Sequence, residues 1–449
     1  MPLRILPNAG CVLAALAVAC GNAFAQDLVQ VYDRARAHDP AMQAAEALLR
    51  SAAPRSAQAE ALLRPTLGAS GSWNWARYDP SSSAEDPSGT RLDTRTSSAA
   101  LTARQPLYNP AASADIALAH TAARAAEADF EVTLQDFILK VAQAYFDVLS
   151  AQDVLAATQA SKRSIGGQLD AATRNYEAGT AVVTDRQDAQ ARFDLALSDE
   201  IAAVNDLRVK QLALDRLVGQ RGISPERLGL PVATPADLSA PLEDWLRLAA
   251  QQPAVARAEL ALESAKLDVE RARAAGLPTV NAVGSYGFTR VSGSGSAIAS
   301  TYPAGRTTNT SVGIEVNVPL FAGLAVKNRV DETELLVERA RDGLEAQRQA
   351  AADQTEHAFF DFQSGLAQVK ALEAAELSSR SSVEGTRIAY GAGLRLNLDV
   401  LNAQTLLFQT ERDLAKARYE SLMRGLRLRA AAGHLQPQDL VAINRLLVH

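Results

Sequence analysis

The chain has 449 residues, 47% of them apolar and 21% charged, so it carries enough apolar side chain to fold and is not a disordered polypeptide. Its formal net charge is −6, and no block of Lys or Arg marks a nucleic-acid partner or a polybasic membrane contact. Both cysteines, Cys11 and Cys20, lie near the start, so the remainder has neither a thiol nucleophile nor a disulfide, and its stability must come from packing or assembly.

Residues 1–25 read as an export signal. Arg4 gives a positive start, Cys11–Cys20 (CVLAALAVAC) is a short apolar core, and Ala23-Phe24-Ala25 fits a small-x-small cleavage site that leaves Gln26 first. A lipid-anchored form competes with this: Ala17-Val18-Ala19 precedes Cys20, with Ala at the position where Leu is usual. Beyond this segment no run of about 18 apolar residues exists, which excludes a transmembrane helix but leaves room for a spanning β-barrel.

After the signal, residues 27–63 are Ala-rich and helical in pattern. Two strands follow, at about 66–76 and 97–107. A proline-free stretch from Ala111 to Ala178 predicts a single helix of about 100 Å at 1.5 Å per residue. Gly179 ends it, a turn occupies 179–184, and a second helix runs over 185–218. The spacing of Phe193, Leu197, Ile201 and Val204 is that of a helix–helix seam. After 220–241 the plan repeats: helix 242–275, strands at about 279–289 and 309–320, helix 323–392, turn 391–397, helix 398–432 and a tail at 433–449.

This repetition is written in the residues. Asp39-Pro40-Ala41 matches Gln252-Pro253-Ala254, and Pro106-Leu107-Tyr108 matches Pro319-Leu320-Phe321, both 213 residues apart. Tyr176-x-x-Gly179 matches Tyr390-x-x-Gly393, and Asp185 matches Asp399, both 214 apart. A period this long implies a tandem duplication, 26–241 and 242–449, rather than a solenoid. Helices of 100 Å suit a long coiled-coil body better than an ordinary globular domain.

The strands alternate. Leu67, Ala69, Gly71, Trp73 and Trp75 share one face of the first. Val280, Ala282, Gly284, Tyr286 and Phe288 share one face of the third, and Val312, Ile314, Val316 and Val318 one face of the fourth. Trp73 and Trp75 correspond by the repeat to Tyr286 and Phe288, as an interfacial aromatic girdle would. The alternative is a soluble antiparallel sheet with one buried face. Four strands cannot close a barrel, and lipid does not tolerate an open edge, so spanning strands require several chains. The Ser-, Gly- and Asp-rich segments 77–96 and 291–308 read as outer loops.

An enzyme finds little support. The five histidines (His38, His120, His357, His434, His449) are scattered, and Gly293-Ser294-Gly295 falls in an expected loop rather than a strand-to-helix turn. No cofactor or metal is implied.

Four segments carry a resemblance: Gln26–Arg36 (QDLVQVYDRAR), Ala144–Leu155 (AYFDVLSAQDVL), the stretch from Gln168 to Asp185, and Leu435–Asn444 (LQPQDLVAIN). Together with the duplication, they resemble TolC proteins, outer-membrane channels of efflux and type I secretion. The resemblance implies an α+β membrane protein: a homotrimeric twelve-stranded β-barrel, four strands per chain, continuous with a long α-helical coiled-coil periplasmic tunnel. Segments 220–241 and 433–449 would form an equatorial region. It also implies a periplasmic adaptor (membrane fusion) protein and an inner-membrane ABC, RND or MFS transporter as partners, outer-membrane lipid around the barrel, and no catalysis. The runners-up are a lipid-anchored multidrug efflux factor and a soluble periplasmic coiled-coil adaptor. By the same resemblance Thr184, Asp185, Tyr390 and Arg395 link a closed periplasmic gate at turns centred on Gly179 and Gly393. The plainer alternative is a helix cap, since Thr184 or Asp185 would suit an N-cap position. The pore constriction falls at Asp399 and Asn402, where TolC proteins often carry two acidic positions; here only Asp399 is acidic.

Overall fold

The computed structural model describes residues 26–78, 92–180, 182–227, 238, 240–294 and 305–445. The expected export signal with Cys20, Ala181, the centres of both expected outer loops, most of 228–239 and the last four residues lie outside the described residues. In chain order the elements are α1 (Leu28–His38), α2 (Pro40–Glu60), β1 (Thr66–Tyr78), β2 (Leu92–Tyr108), α3 (Pro110–Glu177), α4 (Val183–Val218), α5 (Leu242–Ala249), α6 (Pro253–Ala274), β3 (Thr279–Ser294), β4 (Gly305–Asn317), α7 (Ala325–Gly391), α8 (Asn397–Ala431) and α9 (Pro437–Asn444). The two long helices hold 68 and 67 residues.

The helices expected over 27–63 and 242–275 are each broken in two, and the Asp/Gln-Pro pairs of the repeat are the breaks. A residue before proline is pushed out of the helical region by the proline ring, and Asp39 is extended, with φ −66° and ψ 118°. Its Oδ1 then accepts from the N–H groups of Ala41, at 2.8 Å, and Met42, at 3.2 Å, capping α2. Lys140 Nζ on α3 lies 2.6 Å from the other oxygen. Burial alone would raise the pKa of this carboxyl; the Lys140 ammonium and the two backbone donors outweigh it and hold it below the ordinary value. Pro253 is likewise the first residue of α6.

The chain divides into two compact units. One comprises Glu46–Phe130 and Ala254–Gln347 and holds the sheet. All four strands are antiparallel in the order β1-β2-β3-β4. They run 13, 17, 16 and 13 residues, longer than expected, because the strands continue into the segments read as loops. The fourth stops short of 320, since Pro319 has no N–H to offer the ladder.

The register sorts side chains cleanly. Leu67, Ala103, Gly284 and Val312 form one row, and Ala69, Leu101, Tyr286 and Thr310 the next, on one face. Gly68, Thr102, Ser285 and Ser311 form a row on the other. That second face is polar, with Ser72–Ser98 and Ser285–Ser311 hydroxyl pairs at 2.8 Å and an Arg104–Glu315 ion pair at 3.2 Å. The apolar face is uncovered: Leu67 is 79% exposed and Val312 90%.

The other unit, Met1–Ala45, Glu131–Pro253 and Arg348–His449, is helical. Leu28, Val31 and Ala35 of α1, Ile138, Val141 and Phe146 of α3, and Leu426 and Leu428 of α8 are buried. α1 packs on α4 and α9. Tyr145, fully buried, donates its hydroxyl to the Gln26 carbonyl at 3.1 Å and accepts from the Glu226 N–H at 3.0 Å; burial pushes its pKa up. Asn444 accepts from the Leu28 N–H at 3.0 Å and donates to Asp27 at 3.1 Å, tying the expected mature start to the tail. Phe193 packs with Ile165, Ala172 and Leu401. The remainder of its expected seam is different: Leu197, Ile201 and Val204 are exposed, so within one chain this apolar row has no cover.

Candidate functional site

Two places concentrate what the sequence singles out, the helix turns of the helical unit and the open sheet. The two turns are built alike. Gly179 and Gly393 both have φ +74°, a left-handed conformation that a side chain disfavours. At the first, the Gly179 N–H donates to Tyr176 O at 3.0 Å and the Thr180 N–H to Asn175 O at 2.9 Å. At the second, Gly393 donates to Tyr390 O and Leu394 to Ala389 O, both at 2.9 Å. This is the Schellman pattern, which satisfies the last carbonyls of each long helix and reverses the chain.

Their side chains differ. At the first turn Arg186 lies over the Tyr176 ring, 5.0 Å from its centre. At the second, Arg395 lies 3.7 Å from Asp399 Oδ2, and that oxygen also accepts from the Leu396 N–H at 3.2 Å. Asp399 thus caps α8 and offsets the exposed donors at its start. Thr184 is exposed, and Asp185 and Tyr390 are half-buried. Within the chain Arg395 meets Asp399, not Thr184 or Asp185, so the four gate positions are not gathered into one cluster. Asn402 is exposed, and its Oδ1 accepts from Arg192 of α4 at 2.8 Å. Sequence spacing does not single out Arg192; the contact depends on how α4 and α8 register.

A few α8 side chains are polar and buried. Asn397, 2% exposed, accepts from Gln168 of α3. Gln404, 1% exposed, has no hydrogen-bond partner on either amide atom among the described residues. The two are seven residues apart, on the buried stripe that also holds Val400, Leu401 and Leu407.

In the sheet Trp73, Trp75 and Tyr286 are exposed and Phe288 is half-buried beneath Arg306, 4.5 Å from the ring centre. Register sets Trp73 level with Ser97 and Arg290, while Tyr286 is level with Ala69. The two aromatic pairs are therefore offset by four residues along the strands. Among the described residues both outer strands present an unpaired edge, and every described residue of β4 is exposed.

The chain thus combines an open, two-edged sheet that has one bare apolar face with two helices of 68 and 67 residues. The Outer membrane efflux protein family matches twice, over residues 31–220 and 246–434. The chain belongs to this family. It is accordingly an outer-membrane efflux protein of the TolC type. Outer membrane protein TolC of Escherichia coli is 29% identical, over 94% of this chain and 85% of that one. Alkaline protease secretion protein AprF of Pseudomonas aeruginosa is 31% identical, over 93% and 87%. Among solved structures, the outer membrane protein VceC of Vibrio cholerae shares the fold, with a TM-score of 0.76 at 19% identity, over 90% of this chain and 96% of that one. The members it resembles are named as channels and secretion proteins, not as enzymes.

Proposed function

We propose that three copies of this chain close their sheets edge to edge into a twelve-stranded barrel, and that the assembly is the exit duct of a tripartite efflux pump or a type I secretion system. The observation that carries this is the sheet itself. Its two edges expose unpaired N–H and C=O groups along 13-residue strands, and lipid allows no such edge. Its apolar face suits lipid and its serine- and threonine-rich face suits an aqueous lumen. The bare Leu197, Ile201 and Val204 row of α4 supports the same assembly, since it suits burial against another copy. The two family matches, on either side of the middle of the chain, support the tandem duplication.

The names of the relatives, an outer membrane protein and a protease secretion protein, support both efflux and protein export as routes. In this reading the Gly179 and Gly393 turns are the periplasmic gate, with Thr184, Asp185, Tyr390 and Arg395 exchanging contacts on opening. They meet the periplasmic adaptor beneath an inner-membrane ABC, RND or MFS transporter, and Asp399 and Asn402 line the constriction.

Beyond Cys20 the natural chain has no cysteine, which makes the test clean. Single cysteines at Ala76 on β1 and Asn309 on β4, which strands leaning by about 45° would bring side by side between neighbouring copies, are placed together in one chain and oxidised in outer-membrane fractions. Covalent dimers and trimers are expected, with neither single variant going past a dimer. A product that stays monomeric, from protein that is soluble without detergent, overturns the barrel.

A further inference from the structure

Beyond the apolar rows, towards the hairpin ends, the same face of the sheet turns basic. Register places Trp73, Ser97, Arg290 and Arg306 in one row, and Trp75, Arg95 and Ser292 in the next. Arg290 and Arg306 are direct cross-strand partners, so their Cβ atoms stand about 5 Å apart on one face. Arg95 sits diagonally from Arg290 on the neighbouring strand. All three are exposed, and none forms an ion pair among the described residues. The carboxylate nearest in register, Asp93, is engaged by Arg77 at 2.8 Å. Like charges directly opposite one another repel, so an Arg–Arg pair of this kind is unfavourable unless an anion lies between them.

The row below supplies the rest of a ligand. Phe288 lies under Arg306, and Tyr286, Leu101 and Val312 continue the apolar surface away from the arginines. A phosphate held by forked guanidiniums would have its hydrocarbon directed along this surface. We propose that Arg95, Arg290 and Arg306 form a binding site for the phosphate headgroup of an anionic lipid whose acyl chains cover the apolar face. The proposal rests on that face being the lipid-facing one. The adjoining apolar surface favours a lipid phosphate over a free one.

The test is native mass spectrometry of the purified full-length protein in detergent, titrated with phosphatidic acid, with diacylglycerol of the same chains, and with millimolar inorganic phosphate as competitor. Wild type is expected to hold phosphatidic acid roughly tenfold more tightly than diacylglycerol, as forked charge-assisted bonds to a phosphate imply. Arg290→Gln/Arg306→Gln should abolish that preference, Arg290→Gln alone should weaken it, and both should still run as unheated trimers. Inorganic phosphate should not displace the lipid. Equal binding of the two lipids, an unchanged preference in the double variant, or displacement by inorganic phosphate would each overturn the site while leaving the barrel standing. A detergent-independent monomer would instead sink the lipid-facing reading and the site with it.

Discussion

Arg192 changes what the proposed constriction would offer an ion. Asp399 is paired with Arg395, and Asn402 holds Arg192 at 2.8 Å, so the two positions and their partners carry one carboxylate against two guanidiniums. Arginine stays protonated at any working pH. In a trimeric pore this set would be repeated three times, at a distance where charges still act through water. The expected outcome is weak cation preference and weak block by multivalent cations. In planar bilayers Arg192→Gln should raise the cation-to-anion permeability ratio about threefold after salt screening. Asn402→Asp should shift it little alone but strongly in the Arg192→Gln background, because the new carboxylate otherwise pairs with Arg192. An unchanged ratio in Arg192→Gln, alongside a change in Asp399→Asn, would remove Arg192 from the conduction path. None of this could be read from residue types alone, since α4 and α8 come from opposite halves of the chain and only their packing sets Arg192 opposite Asn402.

The elements show where sequence reasoning succeeds and where it stops. The two tip turns were legible because a glycine after a long apolar period has one common use, the left-handed helix end that both Gly179 and Gly393 adopt. The breaks at Asp39-Pro40 and Gln252-Pro253 were visible as repeat matches, but the composition on either side favours helix throughout, and only the cap shows that the chain turns there. That cap makes a pH prediction. The Asp39 carboxyl is held below its ordinary pKa, so its ionised form stabilises the fold above the unfolded-state value, and the benefit is lost as pH falls through the lower folded-state value. Asp39→Asn, which keeps a capping oxygen but loses the charge facing Lys140, should unfold at a lower temperature at pH 7. The gap from wild type should narrow below about pH 4 and close in stronger acid, when helix content is followed by circular dichroism. A gap independent of pH would mean that the ion pair contributes nothing.

For the whole molecule, two helices of nearly 70 residues and a sheet with one bare apolar face are what the proposed assembly has to accommodate. The alternation of the strands was plain in the sequence. Their pairing order was not, because β2 and β3 come from opposite halves of the chain, and only the assembled sheet joins them. The two faces should respond differently to added charge. Ile314→Arg, in the middle of the apolar band, should cost about 2–4 kcal/mol per chain if that band lies at the bilayer centre. Asn309→Lys, on the polar face, should be tolerated. Trimer recovered from outer membranes, run unheated on gels, measures both; equal recovery of the two variants would mean that the apolar face does not meet lipid.

The four-residue slip between the two hairpins has a geometric consequence. By the repeat, Trp73 answers to Tyr286, yet across the hydrogen-bond ladder it meets the row of Arg290. In a barrel whose strands lean by about 45°, stepping across two strands of about 4.8 Å spacing changes level as much as moving roughly three residues along one. A slip of four therefore returns the two aromatic pairs to nearly one height, so hairpins of both halves would meet the bilayer surface together. The same slip, taken up at each hairpin around the ring, sets how steeply the staves are wound and hence the bore, on the order of 25 Å between opposing backbones for twelve strands. In such a duct the calibre would be held in the register of the ladder rather than in the bulk of any side chain.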